Sequence, residues 1–143
     1  MNKVKIRMAS RYRPRKTVVI TGGNTGLGYH CAKNLATNKD WHVIIACRNR
    51  DTAAEAVERL IVETSNEHIE QMSLDLASLA SVRQFAKHFA LRDVPPLRAL
   101  VCNAGIQIVT GITYTQNGFE TTFGVNHLGH FLLVNLGVAD ASV

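Results

Sequence analysis

The chain has 143 residues, 46% of them hydrophobic and 19% charged, with sixteen Lys and Arg against eleven Asp and Glu. Those proportions exclude a disordered or fibrous chain, and the length excludes two full domains while allowing one with a real core. Three scattered cysteines, Cys31, Cys47 and Cys102, exclude a disulfide scaffold, and no apolar run approaches the ~18 residues that a membrane span needs.

The surplus charge is local. Residues 1–16 hold seven bases and no acid, and the rest of the chain is slightly acidic. The expected reading of this stretch is a short disordered leader or an early start, since Met8 follows; a basic arm for nucleic acid lacks the aromatic residues that stack on bases. No nucleic-acid partner is expected. The basic start is not followed by an apolar stretch, so no signal peptide is expected, and the expected location is the cytoplasm or an organelle stroma.

Thr17 to Thr21 is a short β-branched run and predicts a buried strand. It leads into Gly22-Gly23-Asn24-Thr25-Gly26-Leu27-Gly28, after which Leu27, Cys31, Ala32 and Leu35 recur at helical spacing until Asn38. Trp41 to Cys47 predicts a second buried strand. Residues 51–64 predict a helix with Asp51 as N-cap and Ala54, Val57, Leu60 and Ile61 on its inner face. Ile69 to Leu74 predicts a third strand, and Ser78 caps a helix facing inward through Val82, Phe85 and Phe89. Leu97 to Cys102 predicts a fourth strand, ending in Asn103-Ala104-Gly105. Residues 106–117 are turn-rich, and a long helical pattern then runs from near Phe119 to about Leu136, with Phe123, Leu128, Phe131, Leu132 and Val134 as apolar positions. Continuous apolar strands alternating with amphipathic helices imply an α/β fold, a Rossmann-type doubly wound parallel sheet of order 3-2-1-4.

The glycine turn between the first strand and first helix lets the backbone approach a ligand closely. It also delivers that ligand to a helix N-terminus, which favours phosphate. This context fits a dinucleotide site, although the spacing Gly22-x-x-x-Gly26-x-Gly28 differs from the commoner fingerprint and a plain nucleotide turn stays open. The second strand ends in Ala46-Cys47-Arg48, with no carboxylate to accept from the ribose hydroxyls of NAD and a guanidinium to meet the 2′-phosphate of NADP. That pattern favours NADP(H); Arg48 as a solvated loop charge is the alternative.

Thr21 to Gly28, Ala46-Cys47-Arg48, Asp75-Leu76, Asn103-Ala104-Gly105 and Asn126-His127-Leu128-Gly129-His130-Phe131 occur in an order that resembles the short-chain dehydrogenase/reductase family, and most nearly its retinol dehydrogenase and protochlorophyllide reductase branch. The resemblance covers about residues 16 to 136. It implies that Thr21, Gly22, Asn24, Thr25, Gly26, Leu27 and Gly28 form the pyrophosphate turn and that Arg48 holds the adenosine 2′-phosphate. It further implies that Asp75 and Leu76 meet the adenine, that Asn103, Ala104 and Gly105 shape the strand end near the ribose, and that Asn126 is an auxiliary of the proton relay. From the residues alone, Asp75 is equally a turn former and Asn126 a polar residue bonding within its helix.

His127 and His130, three residues apart, share a helix face on this reading, but no third ligand accompanies them and no metal is expected. No charge pattern marks Cys47 or Cys102 as reactive. In the family a Tyr, a Lys four residues later and a Ser carry the proton chemistry, and they follow a fifth strand. Two Tyr-x-x-x-Lys strings occur here, Tyr12 to Lys16 and Tyr29 to Lys33. The first spans Pro14, and the second lies on the helix behind the phosphate site, out of reach of a nicotinamide.

The expected organisation is therefore a basic leader over residues 1–16, an incomplete NADP(H)-binding domain over 17–136 and a divergent tail over 137–143, where Gly137 breaks the apolar period and suggests a frameshift. The resemblance implies a nicotinamide dinucleotide as ligand, a lipophilic carbonyl or alcohol as the parent protein's substrate, and homo-oligomers, which are frequent in the family. A chain ending before the fifth strand is expected to lack turnover and to leave Leu97–Cys102 as a sheet edge; a non-catalytic cofactor-binding or interaction protein, or a non-functional truncated fragment, is the alternative.

Overall fold

The computed structural model describes residues 13–138; the expectations for the first twelve residues, including Tyr12, and for 139–143 lie outside the described residues. Four strands, β1 (Lys16–Thr21), β2 (Trp41–Cys47), β3 (Ile69–Ser73) and β4 (Leu97–Val101), form one sheet of order β3-β2-β1-β4 in which every pairing is parallel. Val19 pairs with Ile44 of β2 and Leu100 of β4, placing β1 at the centre. The helices are α1 (Gly26–Ala36), α2 (Arg50–Thr64), α3 (Leu79–Ala90) and a final one, α4, over 121–138. α4 begins with the short turn Thr121–Phe123, continues through a π-helical stretch, Gly124–Gly129, and returns to α geometry at His130–Leu133. It ends in Val134–Val138, with Gly137 in a left-handed conformation.

Alternation along β1 divides the core in two. Val18 and Ile20 face a cluster with Ile45 of β2 and with Tyr29, Ala32, Ala56 and Leu60 from α1 and α2. Val19 faces a cluster with Ile44 of β2, Met72 of β3, and Val82, Phe85, Phe89 and Leu133 from α3 and α4. Because both faces of β1 and β2 are covered, their side chains read as continuous apolar runs rather than alternating ones. Each fully buried residue of this kind contributes about 1.5–3 kcal/mol.

Several local expectations are corrected. The N-cap of α2 is Asn49, whose Oδ1 accepts from the N–H groups of Asp51 and Thr52 at 3.0 and 3.1 Å. Asp51 lies instead in the first turn, where its charge suits the helix dipole. The inner face of α2 is Ala53, Ala56 and Leu60, with Ala54 exposed. On α1 the buried line is Gly28, Tyr29, Ala32 and Ala36: small residues face the sheet, while Leu27 is 84% exposed and Cys31 and Leu35 are only half-buried. On α4 the buried positions are Gly124, Val125, Gly129, His130 and Leu133, and Phe123, Phe131 and Val134 are exposed. The π-helical stretch, with its wider i→i+5 winding, rotates the side chains away from the face that a simple 3.6-residue period implies. For the same reason His127 and His130 do not share a face: His127 is exposed between the rings of Phe123 and Phe131, and His130 is buried.

Among the described residues no helix is long and apolar enough to cross a membrane, and no group of three or more His, Cys, Asp or Glu is placed to hold a metal ion.

Candidate dinucleotide cleft

The C-terminal ends of β1, β2 and β4 and the segment following β3 converge on a cleft of about 270 Å³, lined among others by Gly22, Asn24, Arg48, Asp75, Ala104 and Gly105. Its position at the carboxyl ends of parallel strands, where the chain reverses direction from β1 outward, is the place where open α/β sheets accept ligands. A larger hollow of about 490 Å³ opens at the edge of β3, near Arg50, Gln71, His88 and Arg92, and contains none of the expected cofactor-binding residues.

The glycine turn is held from two sides. Asn103 Nδ2 donates to the carbonyl oxygens of Thr21 and Gly22, at 3.0 and 3.3 Å, and Asn24 Nδ2 donates to Thr52 Oγ1 of α2 at 3.1 Å. Gly28 is a matter of close approach: a Cβ there would lie 2.4 Å from Gly22 O and 2.5 Å from Asn103 Nδ2. Gly26 is a matter of conformation, with φ of +56° and open space where a Cβ would project. Thr25, the N-cap of α1, makes no side-chain capping hydrogen bond. The first N–H groups of α1 are therefore not satisfied by their own cap, and a helix end of this kind attracts an anion. Thr25, Gly26 and Leu27 are all exposed at this corner.

Thr21 lies beneath the cleft, fully buried. Its Oγ1 accepts from the N–H groups of Asn103 and Ala104, both at 3.0 Å, which fastens the end of β1 to the segment after β4. Arg48 stands exposed at the rim immediately after β2. Asp75 lines the cleft and also builds its own turn: Oδ1 accepts from Ala77 N–H at 2.9 Å, and its N–H donates to Ser81 Oγ at 2.9 Å. Leu76 is buried beside it, and its carbonyl oxygen packs against Gly129 of α4, where a Cβ would come within 2.6 Å. Asn126 lies behind the cleft, with its amide bonded to both backbone groups of Ile106: Oδ1 accepts from the N–H and Nδ2 donates to the carbonyl, each at 2.8 Å. Ile106 in turn forms part of the cleft wall.

The structure thus brings Gly22, Asn24, Arg48, Asp75, Leu76, Ala104 and Gly105 into the wall of one cleft, with Thr21, Asn103 and Asn126 supporting it from behind. It adds residues not singled out as binding from the sequence: Asn49, Ala77, Ile106, Thr121 and Val125. Ile106 is drawn in by its backbone contact with Asn126, which the residue pattern does not show; Ala77 and Val125 are apolar, and the polar groups of Asn49 and Thr121 are engaged in capping α2 and in a hydrogen bond with Thr113. Cys47 also lines the cleft. Burial pushes its thiol up, against weaker opposing hydrogen bonds from the backbone of Asn24 and Gly23, and burial likewise pushes Cys102 up. Raised thiols are poor nucleophiles near neutrality.

Tyr29 and Lys33 are turned away from the cleft toward α2. Tyr29 Oη donates to Glu63 Oε2 at 2.9 Å, Lys33 Nζ lies 3.2 Å from the same oxygen, and the Arg59 guanidinium stacks over the tyrosine ring at 4.4 Å. The pair tethers two helices.

A family model described as short chain dehydrogenase matches residues 16–140. The chain is 50% identical over 121 residues to the WW domain-containing oxidoreductase of Homo sapiens, covering 85% of this chain and 28% of that protein. It is 49% identical over 125 residues to the chloroplastic protochlorophyllide reductase A of Oryza sativa subsp. japonica, covering 86% and 32%. Among solved structures it resembles a short-chain dehydrogenase from Sphingobium yanoikuyae in complex with NADPH, with a TM-score of 0.68 and 21% identity over 85% of this chain and 46% of that one. The chain spans about a third of the length of these curated relatives. With its parallel sheet, its glycine turn and a family match running almost from end to end, the chain belongs to the short-chain dehydrogenase family.

Proposed function

We propose that this chain is the NADP(H)-binding portion of a short-chain oxidoreductase that interconverts a carbonyl and an alcohol on a lipophilic substrate. The observation that carries the reading is the convergence on one cleft of Gly22 and Asn24 from the glycine turn and a strand end bearing Arg48 in place of a carboxylate, with the uncapped N-terminus of α1 beginning at the N-cap position Thr25, one residue after Asn24. The residues fit the cofactor on this structure's own terms: open space lies beside Gly26, and the turn is kept low by the contact of Gly28 with Gly22.

In this reading the N–H groups of Gly26, Leu27 and Gly28 take the pyrophosphate, with Gly22, Asn24 and Thr25 shaping the turn and Thr21 fixing it from below. Arg48 pairs with the 2′-phosphate. Asp75 and Leu76 border the adenine, and Asn103, Ala104 and Gly105 border the ribose. When bound, the dinucleotide supplies or receives the hydride. Asn126 holds Ile106, and with it the wall of the cleft, in place. The solved neighbour described as an NADPH complex supports this cofactor choice. The relatives named as oxidoreductase and reductase support the reaction class.

Tyr29 and Lys33 meet on Glu63, away from the cleft, and offer it no proton donor; Tyr12 lies outside the described residues, and Lys16 is the first residue of β1. The 143-residue chain by itself is therefore expected to bind cofactor without reducing a carbonyl. Calorimetric titration tests the assignment. NADPH is expected to bind the unmodified chain more tightly than NADH, and Arg48→Asp is expected to weaken NADPH by roughly 2–3 kcal/mol while sparing NADH, since a charge-assisted contact becomes a repulsion. Equal affinities for the two cofactors in the unmodified chain overturn the NADP(H) assignment.

A further inference from the structure

His130 is buried, with 7% of its surface exposed, and both ring nitrogens are engaged. Nδ1 lies 3.0 Å from the carbonyl oxygen of Asn126, one turn earlier on α4. Nε2 lies 2.8 Å from Oγ1 of Thr21, at the end of β1 and 109 residues away in the chain. No motif explains this pairing, and the cofactor roles assigned above do not use it.

The partners determine which nitrogen carries the proton. A carbonyl oxygen only accepts, so Nδ1 must be the donor. Thr21 Oγ1 already accepts the N–H groups of Asn103 and Ala104, which occupy both of its lone pairs. It has one proton to give and two acceptors within range: the carbonyl oxygen of Val101 at 3.4 Å and His130 Nε2 at 2.8 Å. A separation of 3.4 Å is long for a hydroxyl hydrogen bond, so the proton goes to Nε2. The opposite tautomer would set a bare Nδ1 against a carbonyl oxygen and bring a third N–H to the threonine.

We infer that His130, held as the neutral Nδ1–H tautomer, is a positioning residue for dinucleotide binding: its bare Nε2 accepts the Thr21 proton and so orients the hydroxyl whose lone pairs fasten Asn103 and Ala104 to the end of β1. The hydroxyl is the junction. Turned toward His130, it presents both lone pairs to the strand-four segment, which supplies Ala104 to the cleft wall and, through Asn103 Nδ2, holds Gly22 of the glycine turn. Released from His130, its proton has only the distant Val101 carbonyl, and the lone pairs swing away from the two N–H groups. Beyond its packing contacts, α4 is thereby hydrogen-bonded to the residues around the cleft at Asn126 through Ile106 and at His130 through Thr21. The inference rests on the proposed function for what the cleft binds, but not for the state of the imidazole.

Two measurements on the full 143-residue chain test it. The first is the ¹⁵N shifts of the His130 ring at neutral pH without cofactor, assigned by loss of the signal in His130→Phe. A protonated Nδ1 and a bare Nε2 are expected; a protonated Nε2 overturns the inference. The second is NADPH affinity across three variants. His130→Phe fills the space without an acceptor and is expected to bind about tenfold more weakly, the change that ~1.4 kcal/mol represents. His130→Gln places an amide oxygen near the Nε2 position and is expected to recover most of that loss. His130→Asn keeps a donor near Nδ1 but does not reach Thr21, and is expected to bind as weakly as His130→Phe. A Phe variant that binds as tightly as the unmodified chain, or a Gln variant no better than Phe, overturns the positioning role. If the Phe variant does not fold, the Gln and Asn variants decide between the same outcomes, and the ring is then assigned by selective histidine labelling. If the unmodified chain does not bind NADPH, the proposed function fails, and the ring nitrogens alone decide the inference.

Discussion

Gly28 and Gly26 lie two residues apart in the turn and are glycine for different reasons. At Gly28 the obstacle is a backbone oxygen, Gly22 O, 2.4 Å from where a Cβ would stand, and backbone does not step aside as a side-chain tip can. Alanine also gains up to ~1 kcal/mol in helix preference, so two effects oppose each other in Gly28→Ala. Overpacking against rigid backbone costs about 1–3 kcal/mol, and the overlap here is severe, so the clash wins. Gly28→Ala is expected to lower the urea midpoint and, if the glycine turn takes the pyrophosphate as proposed, to weaken NADPH as well, because the displaced carbonyl belongs to that turn; denaturant unfolding and titration of one sample check both. The need for glycine here was legible in the sequence, because strand, glycines and helix occur together. The role of Tyr29 was not. Its spacing to Lys33 matches a catalytic string, and only its partner Glu63 on α2 shows a tether. Asp75 is a middle case: the turn it builds with Ala77 and the cleft it borders occur at once, so the two readings of that residue were never exclusive.

Between elements, the strand order followed from alternating apolar strands and helices, because right-handed crossovers leave few ways to wind them. The facing of α4 did not follow, since its π-helical stretch changes the winding without a marker in the residue pattern. The cap of α2 was misplaced by two residues because Asn and Asp compete for the same task, and here Asn49 reaches the free N–H groups. A further tie between elements lies on the sheet's outer half. Glu70 of β3 accepts from His42 Nε2 of β2 at 2.7 Å and pairs with Arg92, just after α3. Burial pushes the Glu70 carboxyl up, but the His42 hydrogen bond and the Arg92 guanidinium outweigh it and hold it below its ordinary value of 4.5. A carboxyl with a lowered folded-state value stabilises the protein above the unfolded value and loses that contribution as pH falls through the folded one. Glu70→Gln is therefore expected to be less stable than the unmodified chain at pH 7, by about 1 kcal/mol for a partly buried network. The difference should shrink steadily below pH 4.5; thermal unfolding of both proteins from pH 7 to pH 3 measures it.

At the scale of the whole molecule, the described residues form a sheet whose two faces are filled while β4, like β3, stands at an edge. Leu97 is buried, but Ala99, Leu100 and Val101 are only half-covered. Among the described residues, eight of the eleven exposed large hydrophobic side chains, from Ile106 to Val134, lie after β4. The walls of the cleft come from the end of β2, the segments that follow the four strands, and Thr121 and Val125 of α4, so its ligand can be tested on this chain alone. The central claim is that this cleft takes a phosphorylated nicotinamide dinucleotide. Thermal unfolding of the 143-residue chain with NADPH and with NADH at equal concentration tests it most directly, since a ligand that binds only the folded state stabilises it by about 2.7 kcal/mol at a hundred times its dissociation constant. The account predicts a midpoint raised by several degrees with NADPH and by distinctly less with NADH. A midpoint unmoved by saturating NADPH, or raised equally by both cofactors, would contradict it.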